Sequence, residues 1–152
     1  MTHVDLINIA TKWLKKSAGC AFTLSELKNF GTAEIPDVIG FRPGAGCQHG
    51  SVVVECKTSR ADFLADAKKP FRVNPETGVG AYRFYMSPAG VILPEDLPER
   101  WGLIAVKNSK AAMVTGPEGN AWSHFGKEFH FADRNIAAEW GILASALRRQ
   151  KG

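Results

Sequence analysis

The sequence lacks the features that mark several protein classes. No apolar run approaches the ~20 residues that a membrane-spanning helix needs, and residues 1–16 lack the apolar core of a signal peptide. There are three cysteines and no C-x-x-C pair, which argues against a disulfide scaffold and a structural zinc site. We therefore expect a cytoplasmic protein with no membrane contact.

Common catalytic signatures are also missing. The chain has no G-x-S-x-G, no Walker A lysine loop and no G-x-G-x-x-G after a predicted strand. This argues against serine hydrolases of that type, P-loop enzymes and dinucleotide-binding enzymes. Internal repeats, low-complexity tracts and long linkers are absent as well, so we expect one domain over residues 1–152.

The overall composition is that of an ordinary globular protein. Of the 152 residues, 45% are hydrophobic and 22% are charged, with a formal net charge of +4. An excess of this size is compatible with a nucleic-acid partner, although many other proteins carry as much.

Hydrophobic periodicity predicts helices at both ends of the chain and two groups of strands between them. The first helix begins after the capping residue Thr2 and stops near Gly19, and a short middle helix runs from Ser59 towards Pro70. Cys20 to Leu27 is predicted to be a short strand or an extended segment, and the other predicted strands are Ile35 to Phe41, Ser51 to Lys57, Tyr82 to Met86, Leu103 to Val106 and Ala111 to Val114. This order predicts an α+β fold, an α/β sandwich in which helices flank a mixed central β-sheet.

The C-terminal segment at about 133–150 is predicted to form the closing helix. Its apolar residues recur at helical spacing along one stripe, namely Ile136, Ala137, Trp140, Leu143, Ala144 and Leu147. The stripe fits either closure of the domain's own core or a docking or dimerisation helix, and we favour closure of the core.

The most informative segment is the strand that ends in Glu55 and Lys57. Side chains alternate along a strand, so these two charged residues share one face. Val52, Val53 and Val54 precede them and indicate a central, buried strand. A charged strand end in such a place requires compensating partners.

A simple hairpin register brings a second acid to the same place. If the two runs pair as antiparallel strands, Ile39 faces Val53 and Asp37 faces Glu55, with Cβ atoms ~4.5–5.5 Å apart. Two carboxylates at that separation repel each other unless a cation lies between them. Oxygen ligands of this kind suit Mg²⁺ or Mn²⁺, and Lys57 would orient or deprotonate a metal-bound water and stabilise the transition state.

The same residues resemble a known nuclease signature. Pro36-Asp37 on one strand, followed by Glu55-Cys56-Lys57 on the next, is similar to the motif of the PD-(D/E)XK nuclease superfamily. The chain from about Leu24 to Val114 also resembles the MmcB-like DNA repair proteins and related phage proteins, whereas the part from Gly116 onward does not. The segments that carry this wider resemblance are Thr58 to Lys69, Tyr82 to Met86 and Leu97 to Leu103.

The resemblance implies a restriction-endonuclease-like core and a metal-dependent deoxyribonuclease that hydrolyses phosphodiester bonds in repair, recombination or phage replication. Asp37 and Glu55 would hold Mg²⁺ or Mn²⁺, and Lys57 would complete the catalytic set. Glu26 would match an acidic residue that sometimes joins such sites, and Glu34 is an alternative fourth acid.

Several basic residues are candidates for contact with DNA. Lys68 and Lys69 lie in the last turn of the middle helix, where cations also suit the helix dipole. Arg60 in the first turn either supports the helix start or meets a phosphate, and Arg72 and Arg83 would extend a basic rim.

Two other functions remain open. One is a nucleic-acid-binding module that keeps the fold without cutting. The other is an interaction subunit of a larger repair or phage complex, in which case the C-terminal helix is the natural docking element. A homodimer is compatible with each of these functions.

Overall fold

The computed structural model describes residues 1–25, 27, 34–43, 49–117 and 128–151. Its elements are α1 (His3–Lys16), β1 (Phe22–Ser25), β2 (Val38–Pro43), β3 (His49–Cys56), α2 (Arg60–Asp66), α3 (Pro70–Val73), β4 (Tyr82–Pro88), β5 (Trp101–Lys107), β6 (Lys110–Thr115) and α4 (Ile136–Lys151). Apart from the short α3 and two 3₁₀ turns, this is the predicted order of helices and strands. The α+β fold class is confirmed.

The six strands form one mixed sheet in the order β1-β2-β3-β4-β5-β6. The pairs β3–β4 and β4–β5 are parallel, and the other three pairs are antiparallel. The carboxyl ends of β3, β4 and β5 therefore lie at the same edge of the sheet, and this edge holds the charged end of β3.

Helix α1 forms because its start and its buried face are both well specified. The Thr2 side chain accepts a hydrogen bond from the Asp5 N–H, and the Asp5 carboxylate accepts one from the Thr2 N–H, which is a capping box. Leu6, Ala10 and Leu14 recur on one face and are fully buried against the sheet. The predicted first helix and its cap are confirmed.

The two faces of the sheet differ in how apolar they are. The α1 face forms one large apolar cluster, which includes Val52, Val54 and Cys56 of β3. The opposite face carries two smaller clusters, one around Tyr85 with Phe63 of α2 and one around Val53 with Ile142 of α4. Glu55 follows Val53 by two residues, so the strand directs it to this second face.

The middle helix is shorter than predicted. It begins after Ser59, whose side chain accepts the Asp62 N–H, but it ends at Asp66 and not at Pro70. Pro70 instead starts α3 at its first position, where the missing N–H costs nothing.

The closing helix is confirmed, but its predicted inward stripe is wrong. Ile136, Trp140 and Leu147 are 49%, 70% and 62% exposed, whereas Glu139 and Ile142 are buried. Glu139 accepts hydrogen bonds from the Gly80 N–H at 2.9 Å and from Arg134 at 3.0 Å, which turns that side of the helix inward.

Glu26, the fourth predicted catalytic acid, lies outside the described residues. In the part of the chain that is described, no helix combines the length and the apolar character that a bilayer crossing requires.

Candidate functional site

Strand β3 positions the centre of the candidate site. Val52, Val53 and Val54 are fully buried, and Glu55 and Lys57 follow them at 4% and 8% exposure. The Lys57 N–H donates to the Met86 carbonyl at 2.9 Å, so the sheet ladder continues past the end of β3. Both charged side chains are thus held at a fixed point on the second face.

Asp37 lies directly before β2, at the same end of the sheet. The observed register pairs Ile39 with Val53 and Val38 with Val54, as the hairpin predicted. One Asp37 carboxylate oxygen, Oδ2, accepts the Cys56 N–H at 2.8 Å, in the place of a main-chain partner. Asp37 is therefore anchored to the strand end that carries Glu55.

The N-terminal end of α1 contacts the same Asp37 carboxylate through His3. His3 Nε2 lies 3.3 Å from Asp37 Oδ2, and the Asp37 side chain is 24% exposed. Among the described residues, Asp37 Oδ1 has no hydrogen-bond donor. One oxygen of Asp37 is thus available to a ligand.

Glu55 is a buried carboxylate whose charge is only partly compensated. Burial raises its pKa well above the ordinary value, and the negative charge of Asp37 raises the pKa further. Arg72 opposes these effects through an ion pair, in which its Nη2 lies 3.5 Å from Glu55 Oε1. Within the described residues, no hydrogen bond reaches the Glu55 carboxylate.

Lys57 is held by an acid from the following helix. Its Nζ lies 3.2 Å from Oδ1 of Asp66, and the Asp66 side chain is completely buried. Asp66 also accepts from the Tyr85 hydroxyl at 2.5 Å and from Arg72 Nε at 2.7 Å. Burial alone would raise the pKa of Asp66, but Arg72, Tyr85 and Lys57 outweigh it and hold the pKa well below the ordinary value.

Arg72 connects the acids of the site. Besides its contacts with Asp66 and Glu55, its Nη1 donates to Glu34 at 2.6 Å, and its guanidinium packs 4.6 Å from the Trp101 ring. Glu34, the alternative fourth acid, also accepts the Val79 N–H at 2.9 Å. Glu34 therefore supports Arg72 and the loop before β4.

The predicted DNA-contact residues fall into two groups. The side chains of Arg72 and Arg83 are buried and do not form a basic rim. Arg83 donates to the carbonyls of Gly80, Pro75 and Gly78. The remaining three are more exposed, but Arg60 forms a two-pronged ion pair with Asp96 and Lys69 Nζ lies 3.1 Å from Asp66. Lys68 is exposed.

The sequence interpretation missed the part played by Asp66, and a signal for it existed. Asp66 follows Phe63 by three residues, which places both on one face of a helix. Since Phe63 had to face the core, Asp66 had to be buried beside it. The burial of Asp66 was not predicted because an aspartate on a helix is usually a surface charge.

The carboxylate oxygens at this strand end are of the kind that binds a hard divalent ion. Asp37 and Glu55 each keep an oxygen without a hydrogen-bond donor among the described residues, and oxygen pairs of this kind are ligands for Mg²⁺ or Mn²⁺. However, no group of three or more His, Cys, Asp or Glu side chains in the described part of the chain is arranged to hold a metal. Any ion here would take its other ligands from water, main chain or substrate.

Comparisons with known proteins support the fold and leave the activity open. A protein of unknown function from Silicibacter pomeroyi has a similar structure, with a TM-score of 0.58 and 25% sequence identity, over 96% of this chain and 86% of that chain. No family model and no curated protein matches this chain.

Proposed function

We propose that the chain is a metal-dependent endonuclease that hydrolyses phosphodiester bonds in DNA. The observation that carries the proposal is the meeting of Asp37, Glu55 and Lys57 at one end of β3, with Asp37 hydrogen-bonded to the Cys56 N–H at 2.8 Å. The resemblance to PD-(D/E)XK nucleases supports the same assignment. The cellular setting would be DNA repair, recombination or phage replication in the cytoplasm.

Each residue has a distinct part in the proposed reaction. Asp37 and Glu55 would hold Mg²⁺ or Mn²⁺, which when bound would lower the pKa of a water molecule and offset charge on the phosphate. The Lys57 ammonium would stabilise negative charge on the phosphate in the transition state. Asp66 would keep that ammonium in place through the contact at 3.2 Å.

The environment of Glu55 is consistent with a cation ligand. Its pKa is raised because burial and Asp37 outweigh the attraction of Arg72. An added divalent cation would favour the ionised carboxylate and release its proton. In the free protein Arg72 would partly take the place of that cation.

The first test is a cleavage assay on the full chain. Plasmid, short duplex, single-stranded and branched DNA are incubated with Mg²⁺, with Mn²⁺ and with EDTA. We expect cutting with either metal and none in EDTA, and at least a ~100-fold lower rate in Glu55→Gln and in Lys57→Met, the range for loss of a charge-stabilising group.

Matched controls separate the site from general charge effects. Glu76→Gln and Arg148→Met change exposed residues of the same charge type and should cut like the original chain. Cutting that persists in EDTA, or that survives in both Glu55→Gln and Lys57→Met, would contradict this assignment.

A second candidate function is a nucleic-acid-binding module without cutting. It is favoured by the partners that the two key side chains already have, since Arg72 lies 3.5 Å from Glu55 and Asp66 lies 3.2 Å from Lys57. DNA binding in EDTA, together with no cleavage of any substrate in either metal, would establish this candidate in place of the nuclease.

A further inference from the structure

A wide groove lies between α1 and the hairpin that joins β5 to β6. Its volume is about 890 Å³, and its lining combines polar and basic side chains with apolar ones such as Ile9 and Trp13. Its polar and basic lining residues include Asn8, Lys12, Lys16, Asn108, Ser109 and Lys110. None of these residues belongs to the candidate site at the end of β3.

The groove carries concentrated positive charge. Lys12, Lys16 and Lys110 line it, and Lys15 and Lys107 are exposed neighbours on the same two elements. Across the residues that the structure describes, none of these five lysines forms an ion pair with a carboxylate.

The one acid among the described lining residues does not neutralise the lysines. Asp5 lies on α1 seven residues before Lys12, and its carboxylate accepts the Thr2 N–H at 2.8 Å in the capping box. Its charge therefore serves the helix start.

The hairpin brings two of these lysines together at a cost. Lys107 and Lys110 are direct partners across the end of the β5–β6 ladder, and like charges in that position destabilise the pairing. The tight turn between them places Asn108 and Ser109 at φ 52° and 60°, which fixes the two lysines close to each other. An anion bound where Lys110 lines the groove would offset this repulsion.

The α1 side of the groove also carries positive charge that is only partly compensated. Lys15 and Lys16 lie in the last turn of α1, where the helix dipole favours cations. Lys12 lies one turn earlier and has no such compensation. Lys12 lines the same groove as Lys110, from the other element, and fits a second contact with the same phosphate backbone.

The uncharged lining also suits a phosphate chain. Asn8, Asn108 and Ser109 offer amide and hydroxyl donors, which with lysine are among the groups that contact nucleic-acid phosphates. The stretch of α1 from Asp5 to Lys16 is about 16 Å long, roughly half of the ~34 Å in one duplex turn. The groove therefore has room for several consecutive phosphates.

The position of the groove relates it to the candidate site. Its α1 side begins near His3, whose Nε2 lies 3.3 Å from the Asp37 carboxylate. Its hairpin side follows the carboxyl end of β5, and this end lies at the same sheet edge as Lys57 because β3, β4 and β5 are parallel. The groove lies on the α1 face and Glu55 and Lys57 lie on the opposite face, so a strand held in the groove would pass around this end of the sheet to reach them.

We propose that this groove binds the phosphate backbone of DNA. The proposal rests on the proposed function only in taking the bound DNA to be the substrate of the β3 site. The contact itself is electrostatic, requires no metal and does not depend on base sequence.

The test measures binding separately from cleavage. Labelled duplex and single-stranded DNA are titrated with the full chain in EDTA, by fluorescence anisotropy, at several salt concentrations from roughly 50 to 200 mM. The variant is Lys12→Gln/Lys110→Gln, which removes one groove lysine from each element. The matched control is Arg148→Gln/Arg149→Gln, an equal loss of charge from exposed positions on α4.

We expect the groove variant to bind duplex on the order of 10-fold or more weakly, with the slope of log affinity against log salt reduced by about 1.8, or ~0.9 for each lost phosphate contact. The control should keep both the affinity and the slope. Thermal melting of each variant shows that the fold is retained, as the substituted lysines are exposed.

The outcomes distinguish the two proposals. If the groove variant keeps its slope, if the control loses as much, or if the chain does not bind DNA at all, the groove proposal is overturned. If groove-dependent binding is present but no DNA is cut in Mg²⁺ or Mn²⁺, the groove stands and the nuclease assignment falls. If DNA is cut in Mg²⁺ or Mn²⁺ while the groove variant binds normally, the nuclease assignment stands and the groove proposal falls.

Discussion

At the scale of single residues, Glu55 is a buried acid whose surroundings disfavour its charged form. Its pKa is raised by burial first and by the Asp37 charge second, and Arg72 compensates only part of this. Because the pKa is higher in the folded than in the unfolded chain, the folded state binds the Glu55 proton more tightly. The stability that Glu55 contributes is therefore complete below pH ~4.3, the unfolded value, and is lost as pH rises towards the folded value.

The direction of this pH dependence gives a prediction for Glu55→Gln, because glutamine imitates the protonated Glu55 side chain. In EDTA at pH 7 to 8, we expect the variant to have a higher free energy of unfolding than the original chain, by about 1.4 kcal/mol per unit of pKa elevation. The difference should shrink towards zero near pH ~4. Urea unfolding across this pH range measures it, with the exposed Glu76→Gln as control. A difference that does not change with pH would contradict the assigned pKa direction.

The residue scale also shows what the sequence could reveal about the site. The alternation along Val52 to Lys57 and the antiparallel register correctly placed Ile39 opposite Val53 and brought Asp37 to the same strand end. The partners of Glu55 and Lys57 were not predicted. Arg72 and Asp66 reach them from α3 and α2, and such contacts depend on how helices pack on the sheet, which local periodicity does not determine.

At the scale of elements, the two terminal helices differ in how far their patterns determine their orientation. In α1 the apolar stripe and the buried face coincide at Leu6, Ala10 and Leu14. In α4 the most apolar stripe faces outward, because Glu139 is fixed inward by the Gly80 N–H and by Arg134. A few buried polar contacts thus outweigh a weakly amphipathic pattern.

This orientation of α4 can be tested with two substitutions on the same helix. Ile142→Ala removes a side chain that is 4% exposed and packs with Ile39, Val53 and Val79, and should cost about 2 to 5 kcal/mol. Trp140→Ala removes a side chain that is 70% exposed and should change stability by less than about 0.5 kcal/mol.

Chemical denaturation of both variants, at several protein concentrations, provides the measurement. The original prediction, in which Trp140 closes the core, requires the larger loss from Trp140→Ala. A larger loss from that variant at every concentration would therefore favour the original prediction over the observed orientation.

At the scale of the whole molecule, the sheet divides the chain into an apolar side and a mixed side. The α1 face is held by one extended hydrophobic cluster. On the other face, two smaller clusters share the surface with the charged residues Glu55, Arg72 and Arg83. This face therefore depends more on buried hydrogen bonds and ion pairs, and the candidate site is part of what holds α2 and α3 to the sheet.

Asp66 is the centre of that polar framework. Its carboxylate contacts Lys57 after β3, Lys69 before α3, Arg72 in α3 and Tyr85 in β4, at distances of 2.5 to 3.2 Å. Removal of this charge leaves the buried Lys57 ammonium without its carboxylate partner and takes one of three carboxylates from Arg72, which is strongly destabilising. We expect Asp66→Asn to lower the free energy of unfolding by about 3 to 5 kcal/mol at neutral pH.

The pH dependence of the Asp66→Asn effect identifies its origin. Burial raises the pKa of Asp66, but Arg72, Tyr85 and Lys57 together hold it below the unfolded value. The Asp66 contribution is then present above pH ~3.9 and lost as pH falls below it, so the variant and the original chain should converge in acid. Asp133→Asn, at an exposed position, is the control. A loss of the same size in acid and at neutral pH would mean that Asp66 acts through packing, and the charged framework would not be what joins this face of the molecule.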